Sequence, residues 1–274
     1  MKHLFLLFIC LILCSQELFA SFEGRRQDAA SLAMGGSCST LHESPFTALC
    51  NPAAPAMLTN DAAGIAYGFP FGQSGLSTIQ GALVLSSISF DEHASAAIAY
   101  ERFGNGDYRE STALFSYARA LSSWLYAGIG ASYMQRNIPG YIRDSAAGVH
   151  AGIAVSAGKA AFDLAVANVN TPSIGEYGEI IAARTTAGAS YRPVEHLLLS
   201  ARIDHRQHQN IAWRCGGEAA ILNSLLLRAG VTGNPSTVSA GAGVKFSKVS
   251  ADIAVTRHPD FNETATALSV KIEW

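Results

Sequence analysis

Charge is scarce in this sequence, and long hydrophobic runs are absent from nearly all of it. Only 15% of the 274 residues are charged while 49% are hydrophobic, an unusual balance for a secreted soluble domain unless much apolar surface faces something other than water. Formal net charge is −2, with no basic block and no acidic tail, so there is no electrostatic footprint for nucleic acid. Beyond Leu13 no apolar stretch reaches the roughly 18 residues that a membrane-crossing helix needs. That excludes a helical membrane protein and leaves a β-barrel open. Proline is sparse after Pro55.

The chemistry of enzymes is missing as well. No HExxH, GxSxG or P-loop occurs. His150 and Ser156 share a predicted strand but stand about 20 Å apart at 3.3 Å per residue, too far for a base and a nucleophile to touch. His205 and His208 beside Asp204 read as an ordinary polar loop. The five cysteines have neither CxxC nor His-Cys metal spacing. No catalytic residue, metal or cofactor is assigned, and the expectation is a protein that is not an enzyme.

What is present begins with an export signal. Lys2 and His3 precede an apolar run from Leu4 to Leu13, and Leu18-Phe19-Ala20 forms a cleavage site. This is the layout of a secretory leader over residues 1–20, with the mature chain starting at Ser21. A lipid-attachment reading of Cys14 competes, but Leu13 stands where such sites want a small residue. Cys10 and Cys14 leave with the leader. Cys38 and Cys50 remain in one segment and enter an oxidising compartment as either a local disulfide or two free thiols, a choice that geometry decides. Cys215 lies in a strand pattern and reads as a small apolar side chain.

After residue 61 a single theme repeats. Segments of roughly ten residues alternate apolar with small or polar side chains, as transmembrane β-strands do. They run from Ala63 to Phe69, Leu76 to Ser86, His93 to Phe103, Tyr108 to Ala120, Trp124 to Arg136, Ala146 to Ala157 and Ala160 to Val169. The series continues from Ile180 to Arg192, His196 to Gln207, Ile211 to Ile221, Leu225 to Thr232, Thr237 to Ser247, Val249 to Arg257 and Ala265 to Trp274. These predict about fourteen strands, an even number that returns the chain to the side where it began. Tight turns at 121–123, 158–159, 193–195, 223–224 and 248, after a longer first one at 87–92, alternate with mostly longer connections at 137–145, 170–179, 208–210, 233–236 and 258–264, largely as short periplasmic turns alternate with external loops. No predicted strand carries an internal proline.

The two faces of these strands separate chemically. One holds Leu125, Ala127, Ile129, Ala131 and Tyr133, then Val238, Ala240, Val244 and Phe246, then Ile211, Trp213 and Ile221. The other holds Arg184, Arg202, Asp204, Arg214, Glu218, Arg228 and Asp252, with Asp163, Arg136 and Lys245. A charge turned to hydrocarbon at mid-bilayer costs about 2 to 4 kcal/mol. The charged face is therefore expected inside, paired as a luminal network, and the apolar face outside against lipid. A water-soluble sandwich would need the reverse. The last strand stops on Trp274, as does the closing strand and assembly signal of a bacterial outer-membrane barrel.

Residues 24–58 read GRRQDAASLAMGGSCSTLHESPFTALCNPAAPAML. The stretch Met34-Gly35-Gly36 and the triplet Asn51-Pro52-Ala53, in this order and separation, resemble the start of the FadL and PorV superfamily of outer-membrane barrels. The resemblance implies that residues 21–61 fold into the barrel, residues 62–274, as a plug or hatch, with Asn51, Pro52 and Ala53 near its base. A periplasmic tail is the alternative. It also implies a place in the outer membrane, contact with its lipid and its assembly machinery, and passive transport of small hydrophobic molecules. The PorV-like members imply the other role, an accessory barrel of type IX secretion or surface attachment that contacts secretion-system subunits and carries no ligand. The longest external connection here, 170–179, is modest and polar beside the large capture loops of FadL-like transporters.

Overall fold

The computed structural model describes residues 21–22, 28–38, 44–72, 75–87, 91, 93–207, 209–222, 224–259 and 263–274. The expected leader and His208 lie outside them. Most of the described chain is strand: β1 (Ala62–Phe69), β2 (Ser77–Leu85), β3 (Ala94–Gly104), β4 (Arg109–Ala120), β5 (Leu125–Ile138), β6 (Ile142–Ala157) and β7 (Ala160–Ala167). A two-stranded hairpin follows, β8 (Ser173–Ile174) with β9 (Glu179–Ile180). Then come β10 (Arg184–Val194), β11 (Leu197–Arg206), β12 (Ala212–Leu222), β13 (Leu225–Gly233), β14 (Thr237–Phe246), β15 (Val249–His258) and β16 (Glu263–Glu273).

Each strand except β8 and β9 pairs antiparallel with the next, and β1 closes on β16 from Ala62↔Glu273 to Phe69↔Thr266. Among the described residues the barrel has fourteen strands, all antiparallel. Trp274 N donates to Asp61 O at 3.0 Å, so both ends of the barrel meet at one mouth. Closure leaves no free edge for backbone N–H and C=O groups, a requirement for any sheet surrounded by hydrocarbon.

The two-residue period decides what each side of the wall meets. Ile65 and Ile129 are 68% and 64% exposed on the outer surface, in company with Ile98, Phe115, Trp213, Val238 and Leu268. Their neighbours in sequence turn inward and are buried, Ser132, Thr186, Arg202, Asp204, Arg228, Ser239 and Asp252 among them. A soluble barrel with this much exposed aliphatic surface would aggregate. The outer face suits acyl chains.

Three local departures from the sequence pattern have physical causes. The expected connection 137–145 is mostly ladder, because Arg136↔Asp144, Asn137↔Arg143 and Ile138↔Ile142 continue the β5–β6 pairing; an Arg136–Asp144 ion pair at 3.2 Å holds polar residues that alone read as loop. Ile180 does not begin β10. It belongs to the β8–β9 hairpin, and Ile174 and Ile181 pack on Met134 and Ala146. Finally, Pro193 lies inside β10, where pairing with β11 shifts between Tyr191 and Val194. Proline has no N–H to give the ladder, so an irregularity near a strand end is where it fits.

A barrel of this strand number is too wide for its own side chains to fill. The N-terminal segment occupies the space. The short helix α1 (Ala29–Ala33) lies on β13 to β16, with Ala29, Leu32 and Ala33 packed on Ala254 and Ala267. Two 3-10 turns, Pro45–Leu49 and Ala54–Met57, lie against β1 to β5. Phe46 and Leu49 pack on Ala66, Ala82, Ala99 and Leu114. Small wall residues facing small residues of the N-terminal segment bring backbone close to backbone. The interior is thereby filled without a large apolar core.

Candidate functional site

Two short motifs dock this segment on opposite stretches of wall. The first follows α1, where Gly35 and Gly36 take φ of +68° and +83°. That left-handed backbone, cheap only for glycine, lets Gly36 N return to Ser31 O at 2.7 Å and ends the helix. The wall answers with glycines of its own. A Cβ on Gly216 would stand 2.5 Å from Met34 O, one on Gly230 2.9 Å from Met34 Cα, and one on Gly241 2.6 Å from Ala33 Cβ. Gly35 O accepts hydrogen bonds from Thr232 Oγ1 at 2.9 Å and Arg214 Nη1 at 3.3 Å.

The second motif is Asn51-Pro52-Ala53. Asn51 Oδ1 accepts from Ala53 N at 2.8 Å and shapes the turn, while Nδ2 donates to Ile153 O at 3.1 Å and reaches Asp163 Oδ1 at 3.5 Å. Gly128 and Gly152 supply the room. A Cβ on Gly128 would fall 2.6 Å from Ala53 N and closer still to the Pro52 carbonyl. Between the motifs Cys38 and Cys50 are joined by a disulfide, with Cα atoms 6.4 Å apart. Arg202 Nη1 approaches Cys38 Sγ at 3.7 Å.

Inward charges form two groups on the same side as the first motif. Asp204 is shared by Arg184 at 2.9 Å, Arg202 at 3.3 Å and Arg214 at 2.6 Å. Arg228 bridges Glu218 and Asp252, each at 2.7 Å. The structure thus brings all seven charges expected at inward positions into contact in two sets, and Arg214 joins the first set to Gly35 of the N-terminal segment. Above the second lies Asp28, fully buried, which accepts a hydrogen bond from Ser31 Oγ. Burial pushes its carboxyl above the ordinary value, the nearby Asp252 adds to that, and Ser31, Lys271 and Arg228 oppose it.

A third ionic group was not singled out in the sequence. Arg136 pairs with Asp144 and with Glu179 of β9, and Ser21 N donates to Glu179 Oε1 at 3.2 Å. Burial works against the Glu179 charge, but the hydrogen bonds from Arg136 and Ser21 outweigh it and hold the carboxyl below its usual value. The inward place of wall glycines such as Gly216 and Gly241 is readable from the sequence. Their signal was present: Gly128, Gly152, Gly216 and Gly230 fall at inward positions of strands, where glycine marks a close approach of another backbone. Trp274 ends beside Asp61, at the mouth where β1 begins and β16 ends.

At the other mouth a cavity of about 300 Å³ opens among the ends of β1, β2 and β12 to β16, and its floor is Leu32 and Gly35. Gly68, Phe71, Ala265 and Ala267 line it together with Thr78, Thr232, Thr256, Arg214 and His258, polar beside apolar, as in the cross-strand pairs Gly68↔Thr78 and Ala265↔Thr256. Near the second motif a gap of about 20 Å³ lies beside Pro52, His150 and Leu114. His150 is committed there, with Nε2 at 2.8 Å from Ser132 Oγ and Nδ1 accepting from Asn168 N at 3.3 Å.

No protein-family model matches the sequence, and neither does any curated protein. Solved structures do match. A Pseudomonas aeruginosa FadL homologue superposes with a TM-score of 0.69 at 12% identity, over 90% of this chain and 98% of that one. The Ralstonia pickettii toluene transporter TbuX gives a TM-score of 0.67 at 12% identity, again over 90% and 98%. The CymD monoaromatic hydrocarbon channel gives 0.67 at 12% identity, over 90% and 97%. At such identity the likeness is one of fold: this chain has the FadL-like outer-membrane barrel fold.

Proposed function

We propose that this chain sits in a bacterial outer membrane and lets small hydrophobic molecules cross it by passive diffusion. The observation that carries the reading is the cavity of about 300 Å³ at the mouth opposite Asp61 and Trp274, closed below by Leu32 and Gly35. Its place requires a ligand to enter from one side and the plug to shift before it leaves on the other. With the mouth of Asp61 and Trp274 in the periplasm, the cavity faces the exterior. Three structures that share the fold are a FadL homologue, a toluene transporter and a monoaromatic hydrocarbon channel, and that supports the same reading.

The plug, in this proposal, is residues 28–58. It holds by the two glycine sockets, the Cys38–Cys50 bond and the Arg214 contact to Gly35. No energy source is called for, because the gradient drives movement. A secretion-accessory role draws no specific observation in its favour.

The test is uptake by intact cells whose outer membrane lacks other hydrophobic channels. Radiolabelled toluene or a medium-chain fatty acid should enter faster when the chain is produced. Equal entry with and without it would refute the transport reading.

A further inference from the structure

The residue that leader removal would leave first is one whose backbone nitrogen the structure ties down. In the sequence Leu18-Phe19-Ala20 closes the leader and makes Ser21 the start of the mature chain. In the structure Ser21 N donates to Glu179 Oε1 at 3.2 Å, and Ser21 Oγ accepts from Arg136 Nη1 at 2.7 Å. Phe22 follows with a φ of +57°, a left-handed conformation uncommon outside glycine. It packs against the cluster of Met134, Ala146, Ile174 and Ile181. Two successive residues are thus held where β5 ends and β6 begins, at the mouth opposite Asp61 and Trp274.

The charges of that place call for a second cation. Arg136 is one guanidinium shared by two carboxylates, Asp144 at 3.2 Å and Glu179. Gly175 brings the β8–β9 hairpin down on them: a Cβ there would stand 3.0 Å from Arg136 Nη2 and 3.1 Å from Asp144 Oδ2. Glu110 faces Arg136 across the β4–β5 ladder and accepts from the Tyr108 hydroxyl at 2.6 Å, which adds acid rather than base. Arg109 and Arg143, next in sequence to Glu110 and Asp144, turn to the outer face by the two-residue period. A peptide N–H at Ser21 would give Glu179 a single neutral donor. An α-ammonium gives three donors and a full charge, and with an ordinary pKa of about 8 it is protonated at neutral pH. It would set two cations against Asp144 and Glu179 in place of one.

We infer that Arg136, Asp144 and Glu179 form a receptor for the α-ammonium group of Ser21, created when an export peptidase cuts the chain after Ala20. Water adds across the Ala20–Ser21 peptide bond. Ala20 departs with the new carboxylate, and Ser21 keeps the nitrogen, which takes up a proton. The receptor then fastens the start of the N-terminal segment to the β8–β9 hairpin, while Asn51 fastens its later part to Ile153. A chain that keeps its leader has no such charge to offer. The inference holds whatever crosses the barrel.

The experiment labels the full chain, purified folded from outer membranes, with an α-amine-selective aldehyde at pH 7 and follows the product by mass spectrometry. Heat-dependent gel migration checks that each barrel is folded. The first residue should be Ser21, and its amine should react at least tenfold more slowly than in the urea-unfolded chain. Glu179→Gln should restore most of the unfolded rate. Because that change also loosens the hairpin, a glycine inserted between Ala20 and Ser21 gives a second reading. It leaves every acid in place and moves the ammonium by one residue, about 3.8 Å along the chain, so its amine should react nearly as fast as the unfolded one. A native chain that begins at another residue, a native amine as reactive as the unfolded one, or equal rates in the native, Glu179→Gln and extended chains would overturn the inference.

Discussion

Gly128 faces the peptide between Pro52 and Ala53 so closely that a Cβ at this position would lie 2.6 Å from Ala53 N and nearer still to the Pro52 carbonyl. The atoms in the way are backbone, held in place by Asn51 and by Pro52 itself, and cannot step aside as a long side chain would. Overpacking of this kind costs about 1 to 3 kcal/mol. Gly128→Ala should therefore loosen the second docking motif and leave the barrel closed. Hydrogen exchange at residues 51–58 should rise while exchange in β5 and β6 stays slow. Unchanged protection of that turn would contradict the docking geometry.

Arg228 bonds both Glu218 and Asp252, and its side chain is 2% exposed. Removing one partner of a buried pair leaves an uncompensated charge, at a cost of about 3 to 5 kcal/mol. Arg228→Met should lower the barrel's unfolding midpoint in urea accordingly. Replacing Arg228, Glu218 and Asp252 together by apolar residues of similar size should recover most of that loss. A single substitution as mild as the triple one would show the group to be solvated rather than enclosed.

The Cys38–Cys50 bond closes a loop with a sequence separation of 12. By loop-closure entropy such a bond contributes about 3 kcal/mol to the order of the segment. Changing both cysteines to serine should make residues 28–58 accessible to added protease from the mouth of Asp61 and Trp274, with the barrel still resistant. Equal protease resistance with and without the bond would mean that the glycine sockets alone hold the plug.

Asp28 carries a pH dependence of known sign. Its carboxyl is raised above the ordinary value, first by burial, so the docked segment binds a proton more readily than the undocked one. Docking is then tightest below about pH 4, the unperturbed carboxylate value, and weakens as pH rises through the raised value. Protection of the α1 amides, corrected for intrinsic exchange, should fall over that rise in the native chain. In Asp28→Asn it should stay flat. A native profile that strengthens with pH would have the sign wrong.

Much of this architecture was legible in the residues themselves. Strict alternation, as in Leu125 to Tyr133 or Val238 to Phe246, fixes which side chains face lipid, because a period of two leaves no third option. The inward place of Arg202, Arg214 and Asp252 follows from the same rule. The β5–β6 extension past Arg136 was hidden, since Asp144 and Arg143 look like loop residues until their cross-strand partners are known. The cavity was hidden for a related reason. Gly68, Ala265 and Ala267 come from opposite ends of the chain and make a hollow only when β1 closes on β16. Arg136, Glu179 and Ser21 likewise meet only in three dimensions.

The account turns on a lumen stopped by the chain's own N-terminal segment, and single-channel conductance in a planar bilayer measures that most directly. The intact chain should pass no steady ionic current. Deleting residues 28–58 should open a pore of stable conductance in the same barrel. A steady current through the intact chain, or a deletion that stays closed while the barrel is folded, would contradict it.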